Sequence, residues 1–267
     1  MHVPVTAFVS LGWSKDSPLP PADSPNQIRR TLRWFTPTCE VPLCGHATLA
    51  ASFGLLAHLG EQVEIKEIKY ESKSRGTLVA TVETIDNHQY VTLNFPANHS
   101  KPIVGADKTE FRDIFLGSNF TPDDIMDIRG CAAEKVVLMR LKNNGANPEE
   151  RIKQVQPNFG RILSVRFNET DILGAIVTIQ GDGSEKSPDF YSRYFAPAIG
   201  IPDDSVCGMA HTIMMPFWTA ELAIQNGVSL VARQASARGG DLRVKLSGER
   251  VGLSGRARVV VAGKLNI

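Results

Sequence analysis

Apolar residues along this chain gather mostly in short runs. The stretches TLRWF (31–35), TLVATVE (77–83), YVTLNF (90–95), KVVLMRL (135–141), GAIVTIQ (174–180), LRVKL (242–246) and ARVVVAG (257–263) are rich in Val, Ile, Leu and Thr. Gly, Asn, Asp or Pro bounds most of them, so each is expected to be a β-strand. Two longer apolar stretches, 47–59 and 209–224, break the pattern. Both are apolar on nearly every side, which predicts two buried helices wrapped by sheet. Segments 14–28 and 142–150 carry Pro, Asn, Asp and Ser and read as loops. The segment 95–105, FPANHSKPIVG, is the expected domain junction. Strands and helices do not alternate regularly, so the expected class is α+β.

Both helical stretches open in the same way. RWFTPTCEVPLCGHATLA begins at Arg33, and RYFAPAIGIPDDSVCGMAHT begins at Arg193. Each reads Arg-aromatic-Phe-x-Pro, a short acidic loop, Cys-Gly and a helix entrance. Downstream, SRGTLVATV (74–82) echoes ARGGDLRVKL (237–246), and Gly76 and Gly239 each lie 32 residues after their cysteine. Two motifs kept at one spacing indicate two halves with one supersecondary plan. Halves of this kind commonly meet at a ligand cleft. The expected domains are 1–100 and 101–267.

This repeat directs attention to the chemistry. A Cys-Gly pair at a helix N-terminus sits among unpaired N–H groups and the positive end of the helix dipole. Such a place holds a small carboxylate by backbone alone and lowers a thiol pKa toward neutrality. Gly45 and Gly208 leave room for close approach of a ligand to the backbone. Cys44 and Cys207 are therefore either proton carriers or small core-filling residues at helix starts.

Composition narrows the classes. The chain has 267 residues, 42% of them hydrophobic, and a formal net charge of +1. No basic stripe suggests a nucleic-acid partner. The longest apolar run is too short to span a bilayer. The opening MHVPVTAFVS has no cationic segment followed by an apolar one, so no signal peptide is expected. Four cysteines, Cys39, Cys44, Cys131 and Cys207, are too few for a disulfide scaffold, and reduced thiols in the cytoplasm are expected. Neither CxxC nor HExxH occurs, so no metal site is expected.

The stretches RWFTP…EVPLCGHATLAA, LNFPA, SRYFAP and IGIPDDSVCGMAH, with ARGGDLRV, resemble the phenazine-biosynthesis PhzF-like isomerases, members of the wider diaminopimelate epimerase fold. The resemblance runs from about Thr6 to the C-terminus. It implies two pseudo-symmetric domains, each a rolled, mostly antiparallel sheet around a central helix, with the active site between them. It also implies a homodimer without metal or organic cofactor that isomerises a small carboxylate by moving protons. The family's catalytic His falls on His46 and its catalytic Asp on Asp204. Gly45 and Gly208 fall where substrate polar groups are bound, and Met209 replaces a hydroxyl-bearing Ser.

One departure is large. The family's acid/base Glu, in NLSETAFV, aligns with Val5 of HVPVTAFV, and valine cannot move a proton. In the family a strand, a Gly-Asn-Pro loop and a helix precede this point, so the first half is expected to lack its first strand and helix. Only 32 residues precede Arg33. The cysteines suggest another route. In diaminopimelate epimerase a Cys from each half flanks the α-carbon, and its CGNGA and CGSGA motifs resemble CGHAT and CGMAH here. Cys44 and Cys207 fall on those positions.

Two functions follow as expectations. One is a cofactor-independent isomerase that uses His46 and Asp204 to position the substrate and Cys44 or Cys207 to carry the proton. The other is a catalytically impaired homologue that binds a metabolite or a protein. His211 reads as a satisfied buried histidine, Glu40 as a loop support, and Arg75 and Arg238 as loop anchors. Cys39 and Cys131 have no counterpart in the repeat and are expected to be inert.

Overall fold

A computed structural model describes residues 5–10, 25–36, 39–41, 43–60, 64–73, 76–85, 87–167 and 170–264. Two compact units divide the chain: Met1–Phe95 with Gly252–Ile267, and Pro96–Val251. The break falls inside the 95–105 segment. The last stretch folds with the first unit, whereas the sequence reading assigns everything after 101 to the second half. No helix among the described residues is long and apolar enough to cross a membrane.

In the first unit the elements are β1 (Thr6–Val9), β2 (Gln27–Phe35), β3 (Glu40–Val41), α1 (Gly45–Leu59), β4 (Glu67–Ser72), β5 (Gly76–Ile85) and β6 (His88–Pro96). The sheet order is β1-β2-β4-β5-β6, with β3 paired to β2. All pairings are antiparallel except β2 with β4, which must run parallel because α1 carries the chain back between them. Leu32, Trp34, Ile68, Tyr70, Ala80, Val91 and Leu93 point inward onto Ala47 and Leu55 of α1.

The second unit contains β7 (Lys101–Pro102), α2 (Lys108–Phe111), β8 (Ile125–Cys131), β9 (Val136–Leu141), α3 (Pro148–Lys153), α4 (Phe159–Ile162), β10 (Arg166–Phe167), β11 (Thr170–Asp171), β12 (Gly174–Gln180), β13 (Phe190–Phe195), α5 (Gly208–Glu221), β14 (Ser229–Gln234) and β15 (Gly240–Ser247). Strand β16 (Arg250–Gly255) begins here and ends in the first unit. The main sheet runs β7-β8-β9-β12-β13-β14-β15, with β9 parallel to β12 and β13 parallel to β14. Strand β12 is buried along nearly its whole length because both its faces are covered. Ala175, Val177 and Ile179 pack against Ile152 of α3, Ile162 of α4 and Phe115. On the alternate face Thr178 meets Trp218 of α5. Each such fully buried Val or Ile contributes about 1.5–3 kcal/mol relative to exposure.

The repeat is a structural one. The order β1-β2-α1-β4-β5 is matched by β12-β13-α5-β14-β15, with the same antiparallel, parallel, antiparallel pairings. Gly76 and Gly239 both hold positive φ, at 64° and 68°, which explains a glycine at each. Beyond β12 the second unit carries β9, β8 and β7; among the described residues β1 has no strand beyond it.

Several local expectations change. Strand β2 starts at Gln27, inside the segment read as a loop, because Gln27–Thr31 pair with β4. Residues 148–150 open α3, since Asn147 caps it and Pro148 suits a first helical turn. Helix α5 ends at Glu221 rather than 224. Helix α1 buries only Ala47, Thr48, Ser52 and Leu55, so it is less enclosed than its composition suggests. The run 257–263 forms no strand, and Val260 and Val261 are exposed. Its β-branched composition favours a strand only where a partner offers hydrogen bonds. Arg75 lies outside the described residues.

Candidate active site

In the first unit the site starts at the end of β2. Arg33 forms a two-pronged ion pair with Glu40, both contacts at 2.8 Å, and lies over the Phe35 ring. This pair closes the loop, as expected for Glu40. Trp34 points the other way, into the core, and its indole N–H donates to Thr48 Oγ1 at 3.0 Å. The Thr48 hydroxyl donates to the Cys44 carbonyl at 2.7 Å. Cys44 itself is the extended N-cap residue of α1. Its thiol does not cap the helix. Instead Sγ lies 3.6 Å from His46 Nδ1 and 3.5 Å from Nε2. Thiol and imidazole thus meet at the N-terminus of α1, with Cys44 at the edge of the apolar cluster of the first unit. Val5 packs against the same apolar cluster.

The second unit repeats the scaffold with different chemistry. Arg193 pairs with Asp203 at 2.9 Å, lies over Phe195 and donates to the Val155 carbonyl at 2.7 Å. Cys207 is again the extended N-cap residue, but its Sγ accepts the Ala210 N–H at 3.5 Å. Gln234 on β14 ties the entrance together. Its carbonyl accepts the Cys207 N–H at 2.8 Å, and its amide donates to the Asp204 carbonyl at 2.6 Å. Asp204 Oδ1 accepts the Val206 N–H at 3.1 Å, and the Asp204 N–H donates to the Tyr194 carbonyl at 2.9 Å. Gly208 and Met209 are half-buried, and the Met209 carbonyl accepts the Thr212 hydroxyl at 2.7 Å.

His211 departs from its expected role as a satisfied core residue. Its Nδ1–H donates to the Cys207 carbonyl at 2.7 Å, but the fully buried Nε2 has no partner. Burial pushes its pKa down to about 4, against a smaller upward effect of the Cys207 bond. The ring is therefore neutral. Thr48 and His211 occupy the same place, four residues after each cysteine, and both donate to the cysteine carbonyl.

The structure thus joins Cys44 with His46 in one unit and Cys207 with Asp204, through Gln234, in the other. Gln234, Tyr194 and Thr48 were not visible as site residues in the sequence. A polar residue in a strand reads as a solvent-facing position, yet Gln234 is fully buried. Among the described residues no three His, Cys, Asp or Glu side chains gather in a metal-binding set. Replacing Gln234 with Leu leaves the Cys207 N–H and the Asp204 carbonyl without their partner. Chemical denaturation is expected to show a loss of about 2–4 kcal/mol, while an intact midpoint would mean the entrance is held by other contacts.

Residues 6–263 match the family model described as phenazine biosynthesis-like protein. The chain belongs to this family. An uncharacterized isomerase of Pseudomonas aeruginosa is 34% identical over 236 residues, covering 88% of this chain and 77% of that protein. A phenazine biosynthesis-like domain-containing protein of Rattus norvegicus is 32% identical, covering 99% and 85%. The crystal structure of a PhzF-family protein of Enterococcus faecalis superimposes with a TM-score of 0.73 at 29% identity, over 99% of this chain and 84% of that one. A predicted epimerase of Pseudomonas aeruginosa shares the fold, with a TM-score of 0.56 at 16% identity. The epimerase-like α+β fold is thus the one that the family resemblance implies.

Proposed function

We propose that this family member is a cofactor-independent isomerase that moves a proton on a small carboxylate metabolite. The observation that carries this reading is the Cys44–His46 contact at the N-terminus of α1. Family membership and the isomerase names of relatives support the reaction class. In the proposed step a thiolate takes a proton from a carbon conjugated with the carboxylate. The electron pair spreads onto the carboxylate oxygens, and a proton returns to another carbon or to the other face. Cys44, with His46 beside it, is the first candidate carrier. Cys207, whose thiol caps its helix, is the second. Each helix entrance offers backbone to a carboxylate, Gly45 in the first unit and Gly208 with Met209 in the second, and Asp204 orients a substrate held at the latter. The reading needs neither metal nor organic cofactor.

A specific observation favours a second reading. Val5, where the family's Glu aligns, is absorbed into the apolar cluster of the first unit. A homologue that binds a metabolite or protein without turnover would tolerate that. Incubation with a panel of small carboxylates in heavy water separates the two. An isomerase incorporates deuterium and loses it in Cys44→Ala or Cys207→Ala. Binding without any uptake across the panel supports the second reading, and uptake surviving both replacements refutes the thiol route. We further expect a cytoplasmic homodimer, which sedimentation would report at about twice the 29.1 kDa chain mass.

A further inference from the structure

Buried Tyr and Trp side chains almost always find a partner for the polar tip. Here Trp34 is bonded to Thr48, and Trp218 donates to Thr178 Oγ1 at 3.0 Å. The Tyr70 hydroxyl meets Ser52 Oγ at 3.0 Å, and that of Tyr191 meets Ser187 Oγ at 3.4 Å. Tyr194 differs. It occupies the position of Trp34 in the repeat and is only 3% exposed, yet among the described residues its hydroxyl has no hydrogen-bond partner. Its ring lies directly against Gly174, where a Cβ would stand 2.7 Å from that hydroxyl, so a glycine is needed there for the tyrosine to keep this position.

We propose that the Tyr194 hydroxyl is a ligand-contacting donor at the entrance of α5, directed to a carbonyl or carboxylate oxygen of the bound molecule. This rests on the acid/base reading above and assigns it a further residue. The surroundings suit the role. Burial raises the Tyr194 pKa strongly, and the nearby charges of Cys207, Asp204 and Glu134 raise it further. The phenol therefore stays protonated and offers a proton without releasing it. Glu134 is half-buried, makes no ion pair among the described residues, and is held by the Asn98 side-chain amide at 3.2 Å. The same amide donates to Thr212 Oγ1 of α5 at 2.9 Å. A neutral donor in a fixed position stabilises an oxygen that gains charge as the neighbouring carbon loses its proton, and it needs no reorganisation to do so.

Tyr194→Phe tests this, because it removes one oxygen and leaves the packing intact. Benzoate serves as the probe in calorimetry and in NMR of protein carrying tyrosine labelled at 13Cζ. The variant is expected to melt at the same temperature as the wild type or higher, to bind benzoate about tenfold more weakly, and to lose deuterium exchange. In the wild type the resonance missing from the variant is expected to shift on benzoate addition. A clear drop in melting temperature would show that the hydroxyl has a structural partner and would overturn the proposal. Unchanged benzoate affinity and exchange in a stable variant would overturn it as well. A wild type that neither binds benzoate nor exchanges any panel compound refutes the acid/base reading itself, and the donor role falls with it.

Discussion

Replacing His46 with Gln, or Cys44 with Ser, is expected to lower deuterium incorporation by roughly 100- to 10,000-fold, the range a positioned acid or base contributes. The thiol and ring lie 3.5–3.6 Å apart at the first turn of α1. The imidazole is thus placed to take the thiol proton and to return it during exchange. Serine keeps the size and the extended N-cap conformation but cannot ionise near neutral pH. Glutamine keeps a polar group near the thiol but cannot take up a proton. Neither change touches the Trp34–Thr48–Cys44 chain of bonds that fixes the backbone. Both variants are thus expected to fold with KM changed far less than kcat. If both retain exchange within a few-fold of the wild type, the Cys44–His46 pair is a packing contact, and Cys207 or a group elsewhere moves the proton.

The second large effect is on stability. Between pH 6.5 and about pH 4, His211 stays neutral in the folded protein, while in the unfolded chain it takes up a proton. The unfolded state therefore binds more protons in this window, and stability rises with pH across it. Lowering the pH through the window is expected to cost about 3 kcal/mol, at about 1.4 kcal/mol per pH unit. Burial works against ionisation of Asp124 and Glu149, but hydrogen bonds from Thr121 and Arg151 to the first and from Lys153 and Arg233 to the second hold both below the usual carboxylate range, so they act mainly below this window. His211→Asn places an amide N–H near the Nδ1 position, keeps the bond to Cys207 and removes the titration. Denaturation midpoints measured from pH 7.5 to 4.5 are expected to fall for the wild type and stay nearly level for the variant. Parallel curves would show that the buried ring does not govern acid stability.

Local arrangements were legible in the chain, and the reasons are short-range. The Arg33–Glu40 pair, the Cys-Gly helix entrance and the glycine 32 residues later recur with Arg193, Cys207 and Gly239. Each depends on a turn conformation, a cap or a side chain reaching across one loop. The functional readings of His46 and Asp204 rest on the family resemblance of the same segments. The Val run at 257–263 shows the opposite case. Its composition meets every local rule for a strand, yet residues 256–264 form none. A strand exists only through its partner's hydrogen bonds, and composition carries no record of the partner.

By itself, then, the sequence determined the family, the α+β class, the doubled plan and the placing of a thiol at each central helix entrance. These follow from pattern and chain-local geometry. The tertiary structure alone decided that the Cys44 thiol faces an imidazole while the Cys207 thiol turns back on its helix. It also decided that Gln234 is buried as a clamp, that His211 is half satisfied and that the Tyr194 hydroxyl has no partner of its own. Those properties depend on contacts between residues far apart in the chain, where the balance of burial and hydrogen bonding is set by packing and by no single segment.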